Sequence, residues 1–142
     1  MIDLVTHSSV SIAAPASAVW PLVLDPNDWK QGLKPVHVSG EPDTVGEIRE
    51  AHVEHEGVRA FLRCETVVLQ PLVRKVVKIT TGAPTDPAWA TWHLVEADGV
   101  TTVSYDVYSE IEVPAEEASA YLAANQERFD AELLALKALV ES

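Results

Sequence analysis

Asp98-Gly99 separates two runs in which apolar and polar residues alternate. A two-residue turn of that type between alternating runs is the strongest short-range hairpin signal a sequence carries. It fixes the pairing of both runs. Leu94 falls opposite Val103, Trp92 opposite Tyr105, and Ala90 opposite Val107, all apolar or aromatic. The other face pairs Val95 with Thr102, His93 with Ser104, Thr91 with Asp106, and Trp89 with Tyr108. A slip of one residue would exchange the two faces, so the first set is predicted to point inward. The second run continues through Ile111 and Val113 into the last stretch of the chain.

That stretch, Pro114 to Glu141, reads as one long amphipathic helix. Ala118, Leu122, Phe129, Leu133, Leu136 and Val140 recur at helical spacing and share a face. Pro114 or Ala115 suits the first helical position, and Glu116 and Glu117 sit where the helix dipole favours negative charge. Asn125 interrupts the apolar face between Leu122 and Phe129.

The earlier strands follow by alternation and charge. In residues 4–13, Leu4, Thr6, Ser8, Val10 and Ile12 share one face, and His7, Ser9 and Ser11 the other. Ala14-Pro15 opens a short helix anchored by Val19, Trp20 and Val23, and Pro21 is expected to kink or end it. Asp25-Pro26-Asn27-Asp28 is turn chemistry, Trp29 a plug, Val36 to Val38 a short strand, and Gly40 to Thr44 a loop. A turn at Glu56-Gly57 sets Glu54 against Arg59 and Glu50 against Arg63 as complementary pairs. It also places Val53, Ala51, Arg49 and Glu47 opposite Ala60, Leu62, Cys64 and Thr66 on the inward face. A turn at Pro71-Leu72 pairs Thr66 with Val77, Cys64 with Ile79, and Glu65 with Lys78.

Composition excludes several classes. At 142 residues the size fits one domain spanning 1–142 with a single core. A net charge of -12 argues against nucleic acid and anionic membranes, which are bound through excess Lys and Arg. The lone Cys64 forms no internal disulfide, which fits a reducing, cytoplasmic location. No signal peptide and no apolar run of about 20 residues occurs, so no membrane insertion is expected.

The segment Val10-Ser11-Ile12-Ala13-Ala14-Pro15-Ala16-Ser17-Ala18-Val19-Trp20, followed by Asp25, Trp29 and Val45-Gly46, resembles the opening of the START-like (SRPBCC) superfamily. The likeness is to its polyketide cyclase/dehydratase-type branch; Pro21 departs from the usual helix there. The resemblance implies an α+β helix-grip fold. In that fold a curved antiparallel sheet of six or seven strands wraps around a long C-terminal helix, with one or two short helices after the first strand. It also implies a deep cavity between sheet and helix. The superfamily holds lipid and steroid carriers, cyclases, hormone receptors and oxygenase domains. It shares no universal catalytic motif, so no catalytic residue is carried over, and fold alone does not assign function.

The candidate ligand-binding residues are Arg49, Cys64, Trp92, Tyr105, Leu122, Asn125 and Phe129. Arg49 on the concave face needs a partner, which Glu47 can supply. As a site residue it would anchor a carboxylate, enolate or phenolate; otherwise it is a rim residue reaching solvent. Tyr105 beside Trp92 either packs the core or offers its hydroxyl as a donor or general acid. Asn125 would bond a ligand, a buried water or the facing sheet. Cys64 reads as an inert core thiol. His52 and His55 point to opposite faces of a strand and cannot chelate one ion, so no metal is expected. No Gly-x-Ser-x-Gly turn or Gly-rich phosphate loop occurs, and no cofactor is expected. Trp89 and Tyr108 form an outward aromatic pair, either a homodimer contact or a patch covered by Pro84 to Pro87.

Three functions fit these residues. The first is binding of an apolar, aromatic or polycyclic small molecule in the cavity. The second is a polyketide cyclase, aromatase or dehydratase using Arg49 and Tyr105, with Asn125 orienting the substrate. The third is an interaction protein whose cavity is filled by Trp29, Trp92 and Phe129. An inward carboxylate or His beside the cavity would favour the enzyme; only Glu47 qualifies, and its salt bridge to Arg49 would remove it as a base, which favours binding with the enzyme close behind.

Overall fold

A computed structural model of the chain describes residues 2–30, 32–83 and 86–142. Strand β1 (Ile2–Ile12) is followed by α1 (Ala16–Leu24) and a single 3-10 turn, Pro26–Asp28. Strands β2 (Val36–Ser39), β3 (Ile48–His55), β4 (Val58–Gln70), β5 (Arg74–Thr80), β6 (Ala88–Ala97) and β7 (Val100–Ile111) come next, then α2 (Ala115–Glu141). The seven strands form one antiparallel sheet in the order β1-β7-β6-β5-β4-β3-β2. This is the α+β helix-grip architecture.

The Asp98-Gly99 turn gives the expected register, with Trp92 opposite Tyr105 and Leu94 opposite Val103. Both turn residues have positive φ, 53° and 77°, as do Glu56 and Gly57 in the β3–β4 turn. That is the mirror-image turn whose twist matches paired strands. Leu94, Trp92, Ala90, Val103 and Tyr105 are buried, so the assigned inward face is the core face. On the other β3–β4 face, Arg59 lies 3.5 Å from Glu54 and Arg63 lies 3.8 Å from Glu50.

The β4–β5 turn differs in detail. It spans residues 71–73, with Leu72 at φ 66° and the Val73 amide donating to the Gln70 carbonyl at 2.9 Å. A bulge between Thr66 and Val68 absorbs the extra residue. Below the bulge, Thr66 still faces Val77, Cys64 faces Ile79, and Glu65 faces Lys78.

Helix α1 does not end at Pro21 but runs on to Leu24. Pro21 has no N–H to give Ser17, yet it is exposed, so water can take that carbonyl. Val19, Trp20 and Val23 are buried and pin the helix against the core. Trp29 is buried as well, and its indole N–H donates to the Leu22 carbonyl at 2.8 Å.

Helix α2 lies along β1. Gln126 Nε2 donates to the His7 carbonyl at 2.8 Å and to Ser8 Oγ at 3.0 Å. Lys137 Nζ donates to the Ser11 carbonyl at 2.6 Å. Phe129, Leu133 and Leu136 enter the main core beside Trp92, Leu94, Val103 and Tyr105. Leu122 joins a smaller cluster with Leu4, Ile111 and Ala118. Among the described residues, no helix is long and apolar enough to cross a membrane.

Candidate functional site

A cavity of about 320 Å³ opens between the concave face and α2. β4 and β5 contribute Leu62, Cys64 and Ile79, and β6 contributes Ala88. β7 contributes Tyr105, Val107 and Ser109, alternate residues of one strand and so one face. α2 contributes Tyr121, Asn125, Arg128, Phe129 and Glu132, and the segment after α1 contributes Lys30 and Leu33. A second hollow of about 420 Å³ lies over the β3–β4 hairpin, lined by His52, Val53, Glu54, Arg59, Ala60 and Phe61. It holds none of the buried polar groups described below.

The back wall is aromatic. The Trp92 and Tyr105 rings have centroids 3.9 Å apart, and Phe129 meets Tyr105 edge-on at 5.2 Å. Trp29 meets Trp92 edge-on at 5.5 Å. Trp29, Trp92 and Phe129 thus form one packed group, and the 320 Å³ remains open beside it.

One wall is polar. Lys30 Nζ donates to the Tyr105 hydroxyl at 3.1 Å and sits 4.9 Å from the centre of that ring. It lies 3.8 Å from Glu132 Oε2, close enough for attraction and too far for a hydrogen bond. Glu132 is 5% exposed, and its Oε2 has no hydrogen-bond partner among the described residues. Burial raises the Glu132 carboxyl above its ordinary pKa, against the opposing charges of Lys30 and Arg128. Burial alone would lower the Lys30 ammonium, but Tyr105 and Glu132 outweigh it and hold its pKa up.

A second polar group holds Arg49. Its guanidinium donates to Asp43 Oδ1 at 3.0 Å and to Glu47 Oε2 at 3.1 Å, and it lies 3.6 Å from Asp25. Glu47 is 2% exposed and also takes the Asp43 amide and the His37 ring. Burial would raise its carboxyl, but the hydrogen bonds from His37, Asp43 and Arg49 hold it below the ordinary range. Buried Lys75 donates to the Leu24 carbonyl at 3.1 Å, tying β5 to the end of α1. Burial and the Arg49 charge push its ammonium down to about 8. Burial pushes the Cys64 thiol up, against the charges of Lys30, Lys75 and Arg49.

Of the candidate residues, Cys64, Tyr105, Asn125 and Phe129 line the cavity together. Trp92 stands behind Tyr105, Leu122 packs in the smaller cluster, and Arg49 turns toward the β2–β3 loop. Asn125 makes no side-chain hydrogen bond among the described residues and is half-buried at the cavity wall. Sequence reasoning missed Lys30 and Glu132. Lys30 follows a turn and belongs to no period. Glu132 occupies the helical stripe that runs 125, 129, 132, 136, so its spacing was a usable signal. Trp89 and Tyr108 stand side by side, exposed, with Lys78 Nζ 5.7 Å from the Trp89 ring. Residues 84 and 85 of the segment suggested to cover them lie outside the described residues.

The comparisons with known proteins agree with this architecture. A solution NMR structure from Thermobifida fusca has 24% identity and a TM-score of 0.79, over 96% of this chain and 93% of its own. The crystal structure of the ZhuI aromatase/cyclase from Streptomyces sp. R1128 has 18% identity and a TM-score of 0.77, over 99% and 94%. The crystal structure of Ara h 8.0201 has 12% identity and a TM-score of 0.70, over 98% of each chain. Identities this low show the fold alone. No curated protein matches the sequence. The model of one family, described as polyketide cyclase / dehydrase and lipid transport, matches residues 4–141. With that match over nearly its whole length, and with the sheet, the gripped helix and the cavity between them, the chain belongs to the polyketide cyclase/dehydrase and lipid transport family.

Proposed function

We infer that this protein binds one small apolar, ring-bearing molecule in the cavity, with the molecule's polar end against Lys30, Tyr105 and Glu132. The observation that carries the reading is the open space itself. About 320 Å³ lies beside an aromatic wall, with a few polar groups gathered on one side. Small-molecule sites have that composition, and this volume lies at the small end of their range. It holds roughly ten waters, which is the bulk of a two-ring molecule rather than of a long lipid. Ala88→Trp places an indole in the cavity from β6, where Ala88 is half-buried. A titration of 2-methoxynaphthalene followed by tryptophan fluorescence should show one saturable site in the wild type. Ala88→Trp should weaken it at least tenfold with an unchanged melting profile. No saturable binding to the wild type sinks the reading.

A second reading is favoured by one observation. Glu132 is an inward carboxylate beside the cavity with a raised pKa, the kind of group a cyclase or dehydratase would use as a base. Tyr105, with Lys30 donating to its oxygen, would be the matching acid. Turnover of a polyketide-like β-polyketone by the wild type, lost in Glu132→Gln, would establish that activity.

A further inference from the structure

We propose that the polar end of the ligand is a neutral hydroxyl, of an alcohol or a phenol, seated between the Lys30 ammonium and the Glu132 carboxylate. This rests on the binding reading above and specifies its chemistry.

The unsatisfied hydrogen bonding of the wall supplies the first argument. Lys30 has three N–H donors and no acceptor; one donor goes to Tyr105 at 3.1 Å. Glu132 Oε2 accepts from nothing among the described residues, although the side chain is 5% exposed. A buried acceptor left unpaired is costly, so the site demands a donor at that atom. The two charged groups stand 3.8 Å apart, a gap that one oxygen can bridge from the side. That oxygen must accept from Lys30 and donate to Glu132. A hydroxyl does both. A ketone or ether oxygen accepts from Lys30 and leaves Glu132 unpaired. A carboxylate has no proton for Glu132 and repels it. An ammonium serves Glu132 and repels Lys30.

Charge supplies the second argument. Lys30 and Arg128 carry positive charge at the cavity wall, and Glu132 and Asp86 carry negative charge. Asp86 is already occupied by the Thr81 and Gly82 amides and the Thr81 hydroxyl. The wall is therefore balanced before any ligand arrives. A charged ligand would leave an excess charge beside the buried Glu132, which is unfavourable. Arg49, which might have drawn an acid, is engaged by Asp43 and Glu47 and does not line this cavity.

The test compares three molecules with the same two rings at pH 7: 2-naphthol, 2-methoxynaphthalene and 2-naphthoate. In the wild type the naphthol should bind at least about fivefold tighter than the ether, the worth of one hydrogen bond to a buried acceptor. The naphthoate should bind weakest. Glu132→Met removes the acceptor and the negative charge at similar length, so it should abolish the preference for naphthol over the ether and improve naphthoate binding; Glu132→Gln, which keeps an acceptor oxygen, should only reduce the preference. Equal wild-type affinities for naphthol and ether, as a trapped water satisfying Glu132 would give, overturn the proposal while leaving the cavity reading intact. Naphthoate binding tightest to the wild type overturns it too. If none of the three binds, the ether included, the cavity reading itself fails.

Discussion

Replacing Lys75 with Met should reshape the dependence of stability on pH. The Lys75 ammonium is buried on β5 and its pKa is held at about 8, against an ordinary 10.5. Burial is the main cause, and the Arg49 guanidinium adds to it. Between those two values the unfolded chain holds this proton and the folded chain does not. Stability must therefore rise as pH increases through that window. At pH 7 both states are charged, and a shift of that size corresponds to about 3 kcal/mol held against the folded state. By pH 10 most of it should be relieved. Lys75→Met carries no charge and should show none of this gain. Its thioether chain fits the same apolar stem space, at the loss of the hydrogen bond to the Leu24 carbonyl. Urea unfolding of both proteins at pH 7 and pH 10 gives the two differences. The wild type should gain on the variant by about 2 kcal/mol or more over that range. The Cys64 thiol titrates nearby, so the pair is repeated in a Cys64→Ser background. A difference that stays constant from pH 7 to pH 10 would refute the claim that Lys75 is desolvated.

Two other substitutions separate support from binding. Arg49→Met strips Glu47 of one partner while leaving His37 and the Asp43 amide, and should cost about 2 kcal/mol in urea unfolding, less than a fully buried pair because Asp43 is half exposed. Its effect on 2-naphthoate affinity then decides whether Arg49 also anchors acids; the geometry predicts no change. Tyr105→Phe keeps the ring stack on Trp92 and Phe129 but removes the oxygen that Lys30 bonds. If Tyr105 is the acid of a cyclase, turnover should fall at least tenfold, about 1.4 kcal/mol of barrier; full activity in this variant would exclude that role.

The sheet was legible because its turns are chemically explicit. Asp98-Gly99 and Glu56-Gly57 each admit one short register, and the charge pairs agree with it. Pro71-Leu72 predicts a β4–β5 turn one residue shorter than the structure has, and the pairs below it still match because the bulge removes the added residue. No residue type announces that bulge. The polar wall was harder to see. Lys75 shares its parity with Val77 and Ile79, so alternation alone placed an ammonium inside, a signal passed over because lysine usually faces water. Glu132 lay in the helical stripe in the same way, beside Leu133, which satisfied the apolar pattern first. Lys30 reaches the cavity from irregular chain after Trp29, where no period operates. Its meeting with Tyr105 and Glu132 joins three segments far apart in sequence, and only the folded chain brings them together.

The most direct measurement is a nitrogen-15 NMR titration of the wild type with 2-naphthol. The account predicts saturable shifts concentrated at Cys64, Ile79, Tyr105, Asn125 and Phe129, the residues facing the cavity from three strands and α2. Absence of saturable shifts, or shifts confined to the outward Trp89 and Tyr108 pair, would contradict it.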